Sequence, residues 1–331
     1  MIEPALQDAA TLEEDCRAFR EAALRLIESL ESVVLGQTEV IEQVAVAVFG
    51  NGHVVLEGVP GLAKTLLVRG LARALSLDFR RIQFTPDLLP ADILGAPTLS
   101  AAGAAVEFRK GPVFCHLLLA DEINRAGPKT QSALLEAMQE RQVTVGDATY
   151  PLERPFTVVA TQNPIEQEGT YPLPEAQLDR FLLKIRVNMP SKSDLVRILD
   201  VSADDALEAV QPVLSRDEVL RYQAVARQVP IAPQLKESVA DLLLATHPGR
   251  GDDEIDRLVR LGVSPRGGQA LLAAARVRAL LSGRYNVSAD DLVALAAPAF
   301  RHRIVPTFSA QAEGADPDEL IERLLERVGL H

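Results

Sequence analysis

Between residues 53 and 187, short apolar runs alternate with segments that have the apolar spacing of helices. Runs of this length are typical of strands buried on both faces, and strands that alternate with helices form a parallel sheet. The pattern therefore predicts an α/β fold in which helices flank a parallel sheet. The predicted strands are 53–57, 79–84, 113–120, 156–161 and 181–187. The predicted helices of this part are one that starts at a Thr11/Glu14 capping box, then 39–49, 64–75 and 129–141.

After about Pro190 the strand pattern stops and signals for helix starts follow one another. They predict an all-helical domain of four or five helices at 191–331, which follows an α/β domain at 1–190. Two insertions interrupt the first domain, a proline-rich one at about 86–112 and a hairpin at about 142–153. The helix-start signals are Ser215 with Glu218, Ser264 with Pro265, Ser288 with Asp290 and Asp291, and Asp316 with Pro317 and Glu319.

The charge of the chain limits its partners. The 331 residues carry a formal net charge of −12, and an acidic chain has no general attraction to a phosphate backbone. Nucleic-acid binding is therefore not expected.

Cys16 and Cys115 form neither a disulfide framework nor a metal cluster. We see no signal peptide at 1–15 and no apolar run near the ~20 residues that a membrane span needs, so the expected localisation is cytoplasmic.

A glycine-rich loop between a predicted strand and a predicted helix is the strongest local motif. Its backbone N–H groups and the helix N-terminus suit phosphates, Lys64 adds a charge at the outer phosphates, and Thr65 offers a hydroxyl to Mg²⁺. Ala63 departs from the usual glycine, so the loop requires helical geometry at that position. The alternative is a glycine turn before a helix with a surface lysine. The predicted ATP-binding residues are Gly58, Val59, Pro60, Gly61, Leu62, Ala63, Lys64, Thr65 and Leu66.

Two adjacent carboxylates, Asp121 and Glu122, follow the apolar run 113–120. Unpaired carboxylates are costly to bury, so packing alone does not explain them. Asp121 is suited to hold Mg²⁺ together with Thr65, and Glu122 to polarise the water that attacks the γ-phosphate. The alternative is a solvated strand end.

Asn163 follows the predicted strand 156–161 in the same way. Its amide can donate to the γ-phosphate and accept from the attacking water. On its own the Asn163-Pro164 pair would indicate a simple turn, because Asn-Pro favours turns.

Over about residues 33–305 the chain resembles the MoxR-type AAA+ ATPases, a group related to the ATPase subunits of metal chelatases. The resemblance implies the P-loop parallel sheet of an AAA+ core, a helical lid domain, and ATP with Mg²⁺ as cofactors. Alanine before the P-loop lysine is usual in this family. The matching segments are 58–65, 120–126, 129–138, 160–164 and 169–181.

The resemblance also implies roles that spacing does not give. Asn163 takes the sensor-1 place, Arg180 that of an arginine finger reaching the ATP of a neighbouring subunit, and Arg266 the sensor-2 place on a lid helix. The insertions 86–112 and 142–153 resemble the helix-2 insert and the hairpin before sensor 1. Alternatives remain: an ion pair of Arg180 with Asp179 or Glu175, a solvated helix start for Arg266, and plain core for the residues in the adenine-binding place, which are Val34, Leu35 and Gly36.

The leading functional prediction is therefore an ATP-hydrolysing motor. The resemblance implies a homo-oligomer, expected to be a ring of six, that remodels a client protein or helps to insert a metal or cofactor. It also implies a partner that carries a von Willebrand factor A domain. One alternative is a nucleotide-gated binding scaffold with little turnover, against which Glu122, Asn163 and Arg180 argue. Another is a nucleic-acid motor, which the net charge of −12 disfavours.

Overall fold

The computed structural model describes residues 9–99, 106–164 and 170–330. Its central feature is a parallel sheet, as predicted. The strands of this part of the chain are β1 (Val54–Glu57), β2 (Phe79–Gln83), β3 (Gly95–Leu99), β4 (Val106–Lys110), β5 (Leu117–Asp121), β6 (Gln142–Val145), β7 (Ala148–Pro151), β8 (Thr157–Gln162) and β9 (Leu183–Arg186). The sheet has five strands in the order β2-β5-β8-β1-β9, and all of its strand pairs are parallel.

Alternate residues of the central strands enter two separate cores. On β5, Leu117 and Leu119 pack into one core, while Leu118 and Ala120 pack into the other. Both faces of the sheet are therefore covered, which explains the continuous apolar runs. The helices of this part are α1 (Ala9–Glu31), α2 (Thr38–Phe49), α3 (Lys64–Ala74), α4 (Pro90–Leu94), α5 (Pro128–Glu140) and α6 (Glu175–Leu178).

The apolar run 113–120 is only partly a strand, and the prediction that the strand starts at residue 113 is wrong. β5 begins at Leu117. Val113 and Cys115 are buried, but the N–H of Val113 donates to Ile93 O and that of Cys115 to Val113 O. The apolar residues before β5 are thus core residues on a turn, because burial alone does not select the strand conformation.

The two insertions contain antiparallel pairs. β3 pairs with β4, and β6 with β7. The rings of Phe108 on β4 and Tyr150 on β7 stack with their centroids 4.3 Å apart, so the two pairs contact each other. The first insertion also contains α4, which packs on α5.

The C-terminal part is helical, as predicted, but the expected count of four or five helices is too low. Within 191–330, all of which the structure describes, there are nine helices and one antiparallel pair of short strands, β10 (Val259–Leu261) and β11 (Val305–Pro306). The prediction missed short helices that begin at their own caps, such as Ser191 and Thr307. The nine helices are α7 (Lys192–Leu199), α8 (Ala203–Ala209), α9 (Arg216–Gln228), α10 (Pro233–Ala245), α11 (Asp253–Leu258), α12 (Pro265–Leu281), α13 (Ala289–Phe300), α14 (Phe308–Ala312) and α15 (Pro317–Arg327).

The predicted helix starts differ in outcome. Ser215 and Ser288 form capping boxes, and Asp316 caps α15. Ser264 occupies the N-cap position of α12, but its side chain makes no capping hydrogen bond. At the N-terminus α1 is already helical at Ala9, and the side chain of Thr11 lies outside the described residues.

Helices on both sides of the sequence boundary near residue 190 share one hydrophobic core. α1 packs against α2 and α3 and also against α9 and α12 of the helical part. An aromatic cluster lies where α1, α2 and α9 meet and consists of Phe19, Phe49 and Tyr222. The ring of Phe19 makes edge-to-face pairs with the other two, with centroid separations of 4.9 Å to Phe49 and 5.3 Å to Tyr222. In the parts of the chain that are described, no helix combines the length and apolar character that would let it traverse a bilayer.

Candidate functional site

The glycine-rich loop lies between β1 and α3, at the carboxyl edge of the sheet. Nζ of Lys64 donates to the carbonyl oxygens of Gly58 (2.6 Å) and Val59 (2.8 Å). Burial lowers the pKa of Lys64, while Asp121 and Glu122 act in the opposite direction. The amine is therefore held by the loop itself, close to Asp121 and Glu122.

Ala63 does not have the helical geometry that the sequence argument required. Its φ of 55° and ψ of 18° lie in the left-handed region. For a residue with a Cβ this conformation costs about 1–2 kcal/mol. The helix nevertheless starts at the next residue, and Leu67 N donates to Ala63 O at 2.9 Å. The expectation for Ala63 is wrong, and the loop keeps its shape with a strained alanine.

Asp121 ends β5, and both of its carboxylate oxygens have hydrogen-bond donors. Oδ1 accepts from Oγ1 of Thr161 at 2.6 Å, and Oδ2 accepts from Nη2 of Arg81 at 2.7 Å. β2 and β5 are neighbours in the sheet, with Arg81 paired to Leu119. The sheet order therefore brings an arginine distant in sequence onto the predicted magnesium ligand.

Glu122 also has left-handed backbone, with φ 55°. Its Oε2 accepts hydrogen bonds from Nε2 of Gln83 (2.7 Å) and Nη1 of Arg125 (2.8 Å). Its backbone N–H donates to Oγ1 of Thr161 at 2.8 Å. The two side-chain hydrogen bonds fix the direction of the carboxylate.

Asn163 follows β8, the strand next to β5, and is buried. Because the carboxyl ends of parallel strands meet at one edge, Asn163 lies on the same edge as Asp121 and Glu122. The structure thus brings together the P-loop, the two acidic residues and the amide. These are the places where phosphoryl-transfer sites hold their ligand, metal and water.

The oxygen groups at this edge fit Mg²⁺ rather than a softer metal. A hydroxyl at Thr65 and a carboxylate at Asp121 are hard ligands, and Mg²⁺ normally takes its other ligands from phosphates and water. Among the described residues, no group of three or more His, Cys, Asp or Glu side chains could hold a metal ion. A metal bound here would therefore depend on a nucleotide for much of its coordination.

An apolar cavity adjoins the loop, and two of the three residues predicted to hold adenine line it. Val34 and Leu35 belong to the lining, whereas Gly36 lies against Asp194, whose Oδ2 a Cβ at Gly36 would approach to 2.8 Å. The alternative of plain core also holds in part, because Val34 is buried in the main core. The other lining residues are Val33, Gln37, residues 59–63, Leu66, Met189, Pro190, Leu195, Ile198, Val201 and Ala203.

Arg180 and Arg266 are not at this edge. Arg180 precedes β9, and β9 is parallel to β1 with Leu183 paired to Val54 and Arg186 to Glu57. Arg180 therefore lies at the amino edge of the sheet, and the strand length between it and the P-loop is at least about 10 Å at a rise of about 3.3 Å per residue. Arg180 and Arg266 line one cleft there, together with Arg141, Arg303 and His53.

The charge of this cleft comes from arginines. Burial, with Arg141 nearby, lowers the pKa of His53 to about 4, so that His53 is neutral near pH 7. Arg180 does not make the ion pairs that were its alternative explanation: Asp179 pairs with Arg303 and Glu175 with Arg260. Nη1 of Arg180 donates to Leu135 O at 2.6 Å.

Sequence reasoning missed four residues of the site, namely Arg81, Gln83, Arg125 and Thr161. Arg81 and Gln83 alternate on β2, which no motif marked as functional, although two-residue spacing does place side chains on one face of a strand. Thr161 stood within the motif around Asn163 but had no assigned role. Its hydroxyl bonds both Asp121 and the backbone of Glu122 and so connects the acidic pair to β8.

Comparison with known proteins gives the class to which this geometry belongs. Residues 53–183 match the family described as ATPase family associated with various cellular activities (AAA), and residues 253–324 match the AAA lid domain. The fold is thus that of an AAA-type P-loop ATPase with a helical lid.

Full-length relatives narrow the class. Chaperone MoxR1 of Mycobacterium tuberculosis is 43% identical over 308 residues, which cover 92% of this chain and 81% of that protein. The uncharacterized protein YeaC of Bacillus subtilis is 41% identical over 307 residues, which cover 92% and 93% of the two chains. The crystal structure of a presumed ATPase from Cytophaga hutchinsonii superimposes with a TM-score of 0.90 at 40% identity, covering 97% and 98%. The chain belongs to the MoxR family of AAA ATPases.

Proposed function

We propose that this protein is a Mg²⁺-dependent ATPase that works as a homo-oligomeric ring, expected to be hexameric, with each nucleotide site completed by a neighbouring copy. One observation carries the proposal. Lys64, Asp121 and Glu122 lie at the carboxyl edge of the sheet, whereas Arg180 and Arg266 lie at the amino edge. An arginine at the amino edge does not reach the phosphates of its own subunit, but in a head-to-tail ring it faces those of the next.

At the carboxyl edge the roles follow from chemistry. The backbone N–H groups of the loop and Lys64 bind the phosphates, while Thr65 and Asp121 hold Mg²⁺, which neutralises developing charge on the phosphate oxygens. Glu122 polarises the attacking water, and Asn163 positions it. The hydrogen bonds to Glu122 from Gln83 and Arg125 (2.7 and 2.8 Å) keep the carboxylate aimed. The cavity lined by Val34 and Leu35 takes the base.

The neighbouring copy supplies positive charge to the transition state. An arginine finger added from outside typically accelerates hydrolysis by about 10³–10⁵-fold. Arg180 is the first candidate, and Arg266 lines the same cleft, so we assign both to the neighbour's nucleotide. This differs from a lid that closes over its own site. The core shared by α1, α2, α9 and α12 favours motion between subunits over motion within one.

The work that hydrolysis drives is proposed to be the remodelling of a client protein or assistance in inserting a metal or cofactor. Support comes from the relative named Chaperone MoxR1. A partner with a von Willebrand factor A domain belongs to the same proposal and rests on family resemblance. The net charge of −12 disfavours nucleic acid as the client.

The test is complementation between two inactive variants. Glu122→Gln subunits keep both arginines but cannot activate water, and Arg180→Ala subunits keep Glu122 but supply no finger. We expect each variant alone to lose about 10³-fold or more of its turnover while still binding ATP. Mixing the two should restore turnover at interfaces that combine an intact Glu122 with an intact Arg180.

Arg257→Ala is the matched control, because Arg257 is an exposed arginine that pairs with Glu313 on the lid. It should behave like wild type. If Arg180→Ala alone keeps wild-type turnover, or if the mixture stays inactive, the shared site is wrong. Wild-type protein that binds ATP without turning it over at any concentration would instead support the nucleotide-gated scaffold.

A further inference from the structure

The two arginines of the amino-edge cleft come from different parts of the fold. Arg180 lies in the short loop between α6 and β9, and Arg266 lies in the first turn of α12 in the helical part. If both act on one nucleotide, as the proposed function requires, their separation must be fixed. Positioning errors near 1 Å are enough to reduce catalysis on the order of 10²-fold.

The side chain of Asp179 joins these two segments. Its Oδ1 accepts from Nε of Arg303 at 2.7 Å, and its Oδ2 accepts from Oγ of Ser264 at 3.0 Å. Asp179 directly precedes Arg180, and Ser264 stands two residues before Arg266. A single carboxylate therefore connects the backbone on either side of the cleft.

Ser264 has an unusual role for a residue at a helix N-cap. A serine there normally accepts a hydrogen bond from the second or third N–H of its own helix. Ser264 makes no such bond and donates to Asp179 instead. The hydroxyl thus serves the contact between the two segments, and α12 starts without it.

Arg303 is the second partner of the Asp179 carboxylate. Its side chain is only 2% exposed, and its Nη2 donates to the carbonyl oxygens of Asp179 (3.0 Å) and Phe181 (2.6 Å), the residues on both sides of Arg180. α12 packs directly on it, since a Cβ at Gly267 would come within 2.7 Å of Arg303 Cδ. Arg303 therefore fixes the backbone that carries Arg180 and fills the space under α12.

We propose that Asp179 is a positioning residue, which through Ser264 and Arg303 sets Arg180 and Arg266 at a fixed separation for the neighbour's nucleotide. The inference rests on the proposed shared site and adds residues to it. Asp179 and Ser264 touch no nucleotide in this arrangement; they act only through the two arginines.

The experiment uses the full chain in mixtures of donor and recipient subunits. All recipients carry Arg180→Ala, so every active site depends on arginines from a donor. All donors carry Glu122→Gln, so donors hydrolyse nothing themselves. The donors differ at one further position: Ser264→Ala and Ser264→Gly remove the hydroxyl, Ser264→Thr retains it, and Ser215→Ala is the control. Donors are compared at equal amounts of assembled, ATP-binding protein.

We expect Ser264→Ala and Ser264→Gly donors to restore at least about tenfold less turnover than the parent donor, because the separation of Arg180 and Arg266 is then no longer fixed. Ser264→Thr should restore it fully. Ser215→Ala removes a real helix cap, whose hydroxyl bonds Glu218, and should also restore it fully, since loss of a cap elsewhere leaves the cleft intact.

The outcomes separate the two proposals. A parent donor that fails to restore turnover overturns the shared site, and the positioning role falls with it. A parent donor that restores turnover, alongside Ser264→Ala and Ser264→Gly donors that restore it equally, leaves the shared site standing and overturns the role of Asp179 and Ser264.

Discussion

At the level of single residues, the candidate nucleotide site contains two non-glycine residues with left-handed backbone. Ala63 before the P-loop lysine and Glu122 after Asp121 both have φ of 55°. Such conformations cost roughly 1–3 kcal/mol each and persist where the surrounding structure imposes them. At Glu122 the turn lets the backbone N–H reach Thr161 while the side chain reaches Gln83. In the proposed function these are the two positions that present groups to the phosphates and to the water.

Ala63→Gly should therefore make the protein more stable. Glycine adopts φ of 55° without the Cβ penalty, although it adds some entropy to the unfolded chain. We expect a net gain of up to about 1 kcal/mol, seen as a higher urea midpoint, with ATP affinity unchanged. Ala72→Gly in the interior of α3 is the control. It should lower stability by about 1 kcal/mol, and equal losses for both variants would contradict the strain at Ala63.

How far the site could be predicted depends on where a residue stands in the sequence. Lys64, Thr65, Asp121 and Glu122 belong to contiguous motifs whose chemistry is legible without a structure. Arg81 could not be found in this way, because its contact with Asp121 exists only once β2 lies beside β5. Such a contact depends on the order of the strands in the sheet, which no local sequence pattern contains.

At the level of elements, the chain order of strands and helices was predictable and their limits were not. The residues of the run 113–120 are all apolar or aromatic except His116, and this pattern predicts a strand over the whole run. Yet the N–H of Val113 donates to Ile93 O on α4 and that of Cys115 to Val113 O, and pairing with β2 starts only with Leu117. Burial was legible from composition, whereas strand pairing depends on partners far away in sequence.

The stack of Phe108 on Tyr150 gives the two insertions a common mechanical link. Stacked aromatic pairs contribute about 0.5–1.5 kcal/mol beyond their buried area. Tyr150→Ala should therefore let β3 and β4 open more often, and hydrogen–deuterium exchange in 106–110 should rise about threefold or more. Tyr150→Phe keeps the ring and serves as the control. Unchanged exchange in Tyr150→Ala would mean that the two insertions move independently.

At the level of the whole molecule, the sequence boundary near residue 190 does not separate two cores. The pattern change there is real, since strands of the central sheet end at Arg186 and helices follow from Lys192. But α1 packs against helices of both parts, and nothing in its sequence revealed that. An apolar stripe on a helix predicts that this face is buried, but it does not predict which element packs against it.

This shared core makes a prediction about cooperativity. Phe19 is fully buried and touches Phe49 on α2 and Tyr222 on α9, so Phe19→Ala opens a cavity against both parts at once. We expect a loss of about 3–5 kcal/mol. Because the parts share one core, hydrogen exchange should accelerate together in α2, α9 and α12. Leu24→Ala on the same helix is the control, since Leu24 is 46% exposed and its loss should be small.

Which helices exchange faster, more than by how much, decides whether the two parts of the chain unfold together. Faster exchange in α2 alone, with α9 and α12 as protected as in wild type, would show that the helical part keeps a separate core and is free to move as a lid. Matched acceleration would show that one subunit behaves as a single cooperative body. In that case we expect hydrolysis at one nucleotide to shift whole subunits relative to one another. The contact that transmits this shift in the proposed ring is the one at which Arg180 and Arg266 of the next copy face that nucleotide.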